Sequence, residues 1–264
     1  MLKLIATDID GTLIPYGQTA LPPALFPLVR RLHAARVLFC PASGRQYHSL
    51  RTLFAPVADE VCFLCENGAI LYGPGTEDSA PVLSKTVMPR DEALALADAI
   101  LALPGCELLV SGANTSYVSA CPPAYIRYME EDKGNRVTLL SRPQDIPEDI
   151  LKVSAYCPGG TAAPQQALGP RWGDALHMAA AGPDWVDFTL ADKGTGLRGL
   201  CAGLGVALAD TAAFGDNWND VPMLDLAGTA WLMEGADPAL RARYPRRCAS
   251  VLPVLESLLK ELEG

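Results

Sequence analysis

Residues 3–13 have the sequence KLIATDIDGTL, in which a short apolar run ends at two carboxylates. The run Lys3–Thr7, followed by polar loop residues, is typical of a buried strand. Ligands of an open parallel sheet bind beyond the carboxyl ends of its strands, so Asp8 and Asp10 emerge where a site is expected. Gly11 lets the chain turn sharply there. For this segment alone the alternative is a capped turn, because Asp and Gly are common turn residues.

The sequence predicts strands and helices in alternation at both ends of the chain, which implies right-handed crossovers and a parallel sheet. Further buried strands are expected at Val37–Cys40, Val61–Cys65, Thr211–Phe214 and Thr229–Leu232. Helices are expected at Pro22–Ala35, Arg45–Phe54, Thr195–Leu204, Val221–Ala227 and Val251–Leu262. We therefore predict that residues 1–84 and 184–264 form one α/β domain around a parallel sheet.

The middle of the chain has a different pattern, with helices and strands in mixed order. A helix is expected at Asp91–Leu103, and strand-like runs at Glu107–Val110, Tyr117–Ala120, Leu151–Tyr156 and Ala175–Ala180. Clusters of proline and glycine, such as Gly169-Pro170, predict turns between these elements. We therefore predict that residues 85–183 form an α+β domain inserted into the α/β domain.

Two segments offer groups for an anionic ligand. Ser43, Gly44 and Arg45 follow the second predicted strand, where a hydroxyl, a backbone N–H and a helix N-terminus together suit an anion. Lys193 comes just before a predicted helix. Taken singly, a Ser-Gly loop is also an ordinary helix cap, and a lone lysine is also an ordinary surface charge.

An acidic segment follows the strand predicted at Thr211–Phe214. Asp216 and Asp220, with the amide of Asn219 near them, form a cluster of hard oxygen atoms that suits Mg²⁺. Such clusters also occur as helix caps, so this segment alone leaves both interpretations open.

The carboxyl ends of parallel strands share one edge of the sheet, so the acidic segments are expected to converge. The carboxylates concerned are Asp8, Asp10, Asp216 and Asp220. Without compensation, their crowding costs on the order of several kcal/mol. A divalent cation together with Lys193 would offset this repulsion, and the remaining space would suit a dianionic phosphoryl group.

In this order, the segments resemble those of the haloacid dehalogenase superfamily, and in particular its Cof-type, subfamily IIB, sugar-phosphatase-like proteins. The resemblance covers essentially the whole chain. It rests on D-x-D-G-T-L at Asp8–Leu13, on G-D-x-x-N-D at Gly215–Asp220 and on the segment Glu66-Asn67-Gly68-Ala69. The segment Lys193-Gly194-x-Gly196-Leu197 is similar to the K-G-x-A-L of these proteins, with glycine at the usual alanine.

The resemblance implies a Rossmann-like core with an inserted C2-type cap, and a Mg²⁺-dependent phosphatase acting on a small phosphorylated metabolite such as a sugar phosphate. Asp8 would be the nucleophile that forms an aspartyl-phosphate, and Asp10 would act as acid and then as base. The resemblance also implies Lys193 as the third catalytic residue. The implied metal ligands are Asp8, the backbone carbonyl of Asp10, Asp216 and, directly or as an outer ligand, Asp220.

The same resemblance implies residues that bind the phosphoryl group and the rest of the substrate. The phosphate-binding set is Ser43, which replaces the threonine of many members, with Gly44, Arg45 and Asn219. The cap would close over the site and contact the leaving group. Candidate cap residues are Asn114, Tyr125, Arg127 and His177, the last also expected as a core or edge residue of a strand.

Composition and charge limit the kinds of molecule that the chain is expected to bind and the compartment in which it is expected. The formal net charge of −9 disfavours binding to nucleic acid. The start of the chain lacks a signal-peptide pattern and no apolar run is long enough to span a membrane, so a cytoplasmic protein is expected. The eight cysteines, including the pair Cys62 and Cys65, are expected as buried thiols rather than disulfides or metal ligands. The oligomeric state, monomer or homodimer, stays open.

Two other functions remain open at this stage. One is a phosphomutase, in which a second acceptor displaces water from the same aspartyl-phosphate. The other is a catalytically silent binding module, which the joint presence of Asp8, Asp10, Lys193 and Asp216 disfavours. A serine hydrolase acting through Ser43 lacks the G-x-S-x-G elbow, and the chain has no Walker-type phosphate loop.

Overall fold

The computed structural model of the chain describes residues 1–263 and divides into two compact units. The first unit contains residues 1–45, 50–84 and those from 192 onward. The second contains residues 46–49 and 85–191. The sequence predicted a return to the first unit at residue 184. The structure places residues 184–191 in the second unit, because the strand Trp185–Thr189 pairs within the sheet of that unit.

The strands are numbered in chain order. They are β1 (Leu4–Thr7), β2 (Leu38–Pro41), β3 (Phe63–Cys65), β4 (Ile70–Tyr72), β5 (Val82–Lys85), β6 (Glu107–Ser111), β7 (Ser116–Ser119), β8 (Val137–Leu140), β9 (Lys152–Tyr156), β10 (Ala179–Ala180), β11 (Trp185–Thr189), β12 (Thr211–Gly215), β13 (Thr229–Met233) and β14 (Arg247–Cys248).

The α-helices are numbered in the same way. They are α1 (Leu25–Ala34), α2 (Tyr47–Leu53), α3 (Arg90–Leu101), α4 (Pro123–Arg127), α5 (Ala162–Trp172), α6 (Lys193–Leu204), α7 (Val221–Leu226), α8 (Pro238–Arg243) and α9 (Val251–Glu263). Among residues 1–263, no helix has both the length and the apolar character that crossing a bilayer requires.

The first unit is built on a parallel sheet with the strand order β14-β13-β12-β1-β2. Strand β3 runs beside β2, because the backbone N–H of Cys62 donates to Phe39 and that of Ser43 donates to Leu64, at 3.0 and 2.9 Å. The chain therefore moves outward from β1 through β2 to β3 on one side, and from β12 to β14 on the other. A reversal of this kind creates a crevice at the carboxyl ends of the central strands.

Helices cover this sheet. All four residues of β1 are buried, as expected for a parallel strand with both faces covered. Leu4 and Ala6 belong to a core cluster that includes Leu197 of α6 and Met223 of α7. Helix α1 buries residues at spacings of three and four and packs against α9 and β2. The central strands and their ends are therefore held between packed layers.

The second unit is an α+β structure. Its sheet has the order β10-β11-β9-β6-β7-β8, antiparallel throughout except for the parallel pair β7 and β8. Helices α3 and α5 pack on this sheet around one core, which includes Ile100, Val153, Leu168 and Phe188. The predicted combination of a parallel-sheet α/β fold with an α+β part is confirmed.

Three local predictions in the second unit are wrong. Gly169 and Pro170 lie inside α5 instead of in a turn, because burial of Leu168 and Trp172 against the sheet outweighs the low helix propensity of their neighbours. Of the strand expected at Ala175–Ala180, only Ala179 and Ala180 pair. His177 is not a core or edge residue of a strand, since it lies exposed in a turn at φ 45°.

Candidate active site

The candidate active site lies where β1 and β12 end. The two strands are neighbours, with Thr7 opposite Phe214, and the N–H of Asp8 donates to the carbonyl of Phe214 at 2.9 Å. Asp8 therefore leaves β1 beside the point where Asp216 leaves β12. Both side chains are nearly inaccessible, with Asp8 7% and Asp216 6% exposed.

Lys193 is the first residue of α6, and the start of this helix positions its side chain beside Asp8. Asp192 caps that helix, because the N–H of Thr195 donates to Asp192 Oδ1 at 2.6 Å and the Thr195 hydroxyl accepts from the N–H of Asp192 at 2.9 Å. Gly68, at φ 97°, lies directly against the carbonyl of Asp192, where a Cβ atom would clash with the oxygen. The cap and this close approach together locate the first residue of α6.

Two further glycines allow α6 to approach its neighbours. A Cβ atom at Gly194 would lie 2.5 Å from the carbonyl oxygen of Pro222, and one at Gly196 would lie 2.8 Å from the Cα of Gly68. The glycine that replaces the usual alanine of the K-G-x-A-L pattern therefore has a structural reason, since at this separation an added methyl group has no room.

The ammonium of Lys193 bridges two carboxylates. Its Nζ donates to Asp8 Oδ1 at 2.5 Å and to Asp220 Oδ1 at 2.6 Å, and the lysine is 1% exposed. Burial lowers the pKa of Lys193, but Asp220 and Asp8 outweigh that effect and hold the pKa above its ordinary value. Burial raises the pKa of Asp8, and the ammonium of Lys193 opposes this rise. The lysine is therefore a fixed cation beside Asp8.

Asp220 has both carboxylate oxygens engaged. Oδ1 accepts from Lys193, and Oδ2 accepts from the backbone N–H groups of Asp216 and Asn217, each at 3.0 Å. The close approach needs Gly215, because a Cβ atom there would lie 2.5 Å from the Cβ of Asp220. Asp220 thus connects Lys193 to the loop that carries Asp216.

Asp216 is held by two hydroxyl groups. Thr12 Oγ1 donates to Asp216 Oδ1 at 3.0 Å, and the Tyr16 hydroxyl donates to Asp216 Oδ2 at 2.7 Å. Burial raises the pKa of Asp216, while the hydrogen bonds from Tyr16 and Thr12 oppose the rise. Neither the contact of Thr12 with Asp216 nor any role of Tyr16 was predicted from the sequence. The D-x-D-G-T motif marks Thr12, but no motif marks Tyr16.

Three of the four predicted carboxylates meet. Asp8, Asp216 and Asp220 each offer an oxygen atom within 4.8 Å of the others, and all three are buried. One ammonium faces these three carboxylates, so the cluster has an excess of negative charge. Buried carboxylate oxygens are ligand atoms of the type that a divalent cation binds.

The side chain of Asp10 lies outside this cluster, contrary to the predicted convergence of four carboxylates. The chain turns at Gly11, whose N–H donates to the carbonyl of Ile14 at 2.8 Å, and the Asp10 side chain is 54% exposed. Arg45 contacts it at two points, with Nη2 2.6 Å from Oδ1 and Nε 3.1 Å from Oδ2. The predicted substrate contact of Arg45 stays a prediction, because here this side chain binds Asp10.

The other phosphate-binding candidates flank these groups in the first unit. Ser43 is 4% exposed, and its hydroxyl accepts from the N–H of Arg45 at 3.3 Å. Gly44 approaches Asn67, since a Cβ atom there would lie 3.1 Å from the Asn67 side chain. Asn219 is exposed on the turn Trp218–Asp220. Their contacts with a phosphoryl group stay predictions.

The cap candidates have different environments within the second unit. Asn114 Oδ1 accepts from the N–H of His48 at 2.9 Å. Tyr125 is buried against Tyr156, with ring centroids 5.4 Å apart. Arg127 and His177 are exposed. A contact of any of the four with a substrate stays a prediction.

Comparisons with known proteins show which family the chain matches. Residues 5–249 match the haloacid dehalogenase-like hydrolase family. The 5-amino-6-(5-phospho-D-ribitylamino)uracil phosphatase YbjI of Escherichia coli strain K12 is 28% identical, over 98% of this chain and 97% of its own. The pyridoxal phosphate phosphatase YbhA of the same strain is 25% identical, over 91% of each chain. A crystal structure from Eubacterium rectale has a TM-score of 0.85 at 26% identity, and covers 97% of this chain and 99% of its own.

The family match covers most of the chain and the curated relatives are phosphatases. The predicted resemblance is therefore confirmed, as is the prediction of a phosphoric monoester hydrolase at the level of enzyme class. This chain belongs to the haloacid dehalogenase-like hydrolase family.

Proposed function

We propose that this chain is a Mg²⁺-dependent phosphatase that hydrolyses a small phosphorylated metabolite through an aspartyl-phosphate on Asp8. The observation that supports this most directly is the hydrogen bond of 2.5 Å from Lys193 to Asp8 Oδ1. A carboxylate nucleophile has to be ionised, and burial, which raises the pKa of Asp8, opposes this. The neighbouring ammonium favours the ionised form and counteracts burial. The same ammonium stabilises negative charge on the transferring phosphoryl group.

The donor set fits a divalent cation. Asp8 and Asp216 contribute buried carboxylates, and both oxygens of Asp220 are already engaged by Lys193 and backbone N–H groups. We therefore assign Asp8 and Asp216 as Mg²⁺ ligands, together with the backbone carbonyl of Asp10 that the family resemblance implies. Asp220 is assigned as the residue that anchors Lys193 and the loop of Asp216. When bound, Mg²⁺ would neutralise charge on the phosphoryl oxygens.

The reaction divides into two displacements. In the first, an oxygen of Asp8 bonds to phosphorus, the bond from phosphorus to the leaving oxygen breaks, and Asp10 protonates that oxygen. In the second, Asp10 accepts a proton from water, the water oxygen bonds to phosphorus, and inorganic phosphate leaves Asp8. Ser43, Gly44 and Asn219 would contact the phosphoryl oxygens.

Asp10 has to leave Arg45 to act in this way. The Asp10 side chain is 54% and the Arg45 side chain 34% exposed. Exposed ion pairs contribute about 0–1 kcal/mol, so opening this pair costs little compared with a reaction barrier. The arrangement therefore leaves Asp10 available as an acid and base.

The substrate class includes sugar phosphates, as the sequence suggests, and phosphate monoesters attached to a nitrogen heterocycle. We include phosphate monoesters attached to a nitrogen heterocycle because the names of the two E. coli relatives specify a phosphoribitylamino-uracil and pyridoxal phosphate. A suitable panel would contain both groups, with an activated aryl phosphate as a general probe.

The test is the release of inorganic phosphate from this panel, measured with Mg²⁺ and with EDTA. We expect Mg²⁺-dependent release by the wild type, background release by Asp8→Asn, and unchanged release by Asp174→Asn, which alters an exposed aspartate of the second unit. Activity that is indifferent to EDTA would contradict the metal assignment. Phosphate that changes position without being released would indicate a phosphomutase instead.

A further inference from the structure

Tyr16 has an unusual position for a side chain so exposed. It is 75% exposed, yet its hydroxyl lies 2.7 Å from Oδ2 of Asp216, which is 6% exposed. Little apolar surface is buried by a ring in this position, so burial does not explain its placement. The side chain lies close to Gly11, where a Cβ atom would come within 2.8 Å of Tyr16 Cζ. Gly11 therefore leaves the space through which the hydroxyl reaches Asp216.

We propose that Tyr16 is a positioning residue that orients the carboxylate of Asp216 for binding a divalent cation, an inference that rests on the proposed function. An ionised carboxylate accepts at two oxygens, with about four lone-pair positions in all. Thr12 donates to Oδ1 and Tyr16 donates to Oδ2 of Asp216, so rotation of the carboxylate would break one or both bonds. Each oxygen of Asp216 accepts one of these bonds and keeps a further lone-pair position, and Asp216 offers an oxygen atom within 4.8 Å of one from Asp8.

The two hydroxyl groups differ in how they are held. Thr12 is 4% exposed and belongs to the turn after β1. Tyr16 follows four residues later and also borders a cavity of about 310 Å³, whose other walls include Met233, Val251 and Leu252. Because space is open beside the ring, the hydroxyl bond to Asp216 is the contact that we expect to keep Tyr16 in place. Its loss should therefore release the ring and free one oxygen of Asp216.

The first unit provides a matched control. The hydroxyl of Tyr244 donates to Asp225 Oδ1 at 2.6 Å, so it makes the same kind of bond with residues that are not part of the candidate site. Tyr16→Phe and Tyr244→Phe each remove one phenolic hydroxyl from one aspartate. Only the first change concerns a proposed cation ligand.

The experiment is a titration of the metal-free full chain with Mn²⁺, followed by electron paramagnetic resonance, with Mg²⁺ as the competitor. Removing an outer partner of a metal ligand typically weakens metal affinity about 10- to 100-fold. We expect Tyr16→Phe to raise the Kd for Mn²⁺ by that factor, and Tyr244→Phe to leave it unchanged. Saturating Mg²⁺ should restore most of the kcat of Tyr16→Phe, and its metal-free Tm should match that of the wild type.

The outcomes separate this inference from the proposed function. Equal or tighter Mn²⁺ binding by Tyr16→Phe, with normal binding by the wild type, would overturn the role of Tyr16 alone. Equal weakening by Tyr244→Phe would also overturn it, because the effect would then be a general loss of stability. A wild type that binds no Mn²⁺ and releases phosphate in EDTA would overturn both proposals.

Discussion

Arg45 binds Asp10 through two contacts, with Nη2 2.6 Å from Oδ1 and Nε 3.1 Å from Oδ2. Asp8, only two residues earlier, is instead buried and bonded to Lys193. The sharp turn after β1 thus gives two neighbouring carboxylates opposite environments, one exposed and one enclosed. Different environments are the usual basis for different roles of paired carboxylates.

Replacing Asp10 should affect substrates according to their leaving group. We expect Asp10→Asn to lower kcat/KM by about 10²- to 10⁴-fold for an alkyl phosphate, which needs proton donation. An activated aryl phosphate should lose less. Arg45→Gln removes the same ion pair but keeps the carboxylate, so it should not change the dependence on leaving group. If Asp10→Asn slowed both substrates equally, the acid role of Asp10 would be wrong.

Removing the buried ammonium should destabilise the first unit. Lys193→Met leaves Asp8 and Asp220 close together without their shared cation. Loss of one partner of a buried ion pair typically costs about 3–5 kcal/mol, which we expect in urea unfolding with EDTA present. Lys260→Met, on the exposed side of α9, is the control and should change little. Equal unfolding midpoints for the two variants would contradict the bridging position of Lys193.

Adding one methyl group to α6 at Gly196 should also lower the free energy of unfolding. Ala at position 196 would bring its Cβ to 2.8 Å from both the Cα of Gly68 and a methyl group of Leu64. Overpacking of this kind typically costs about 1–3 kcal/mol, so the free energy of unfolding of Gly196→Ala should fall by that amount. Gly235→Ala is the control, because space around Gly235 is open. A Gly196→Ala variant as stable as the wild type would show that α6 can shift.

The register of the second sheet can be tested with its cysteines. Glu107 pairs with Tyr156 on antiparallel strands, so Cys106 and Cys157 are the next facing pair, and their sulfur atoms lie 2.9 Å apart. Cys106 is partly exposed and Cys157 is buried, so reaction should begin at Cys106.

Diamide accepts one hydrogen from each thiol as the disulfide bond forms. We expect peptide mapping by mass spectrometry to find Cys106 linked to Cys157, and Cys121 of the same unit unlinked. A bond between Cys106 and Cys121 would instead show a different arrangement of β6 and its neighbours.

The convergence of Asp8, Lys193 and Asp216 could be predicted because it depends mainly on the order of the strands and on where one helix begins. Asp8 and Asp216 follow adjacent parallel strands, and the strand order places their carboxyl ends at one edge. Lys193 starts a helix whose glycine pattern is visible in the sequence. Topology alone therefore brings the two carboxylates together, whereas Lys193 also depends on the cap of α6 and on the close approach of Gly68.

The direction of Asp10 and the contact of Tyr16 could not be predicted, because both depend on how one loop closes. The N–H of Gly11 donates to Ile14, and this turn sends the Asp10 side chain to Arg45. Tyr16 reaches Asp216 from the same loop. The helical position of Pro170 was missed for another reason, since packing of α5 on the sheet decides it and local propensity does not.

Gly68 carries no functional group, yet it sits against the carbonyl of Asp192, one residue before Lys193. Only glycine readily adopts its left-handed φ of 97°, and a Cβ atom at this position would clash with the carbonyl oxygen of Asp192. A search for important positions that considers only charged and hydroxyl side chains would overlook it. We expect substitution at Gly68 to displace Lys193, so that its ammonium would no longer bridge Asp8 and Asp220 although no charged residue had been changed.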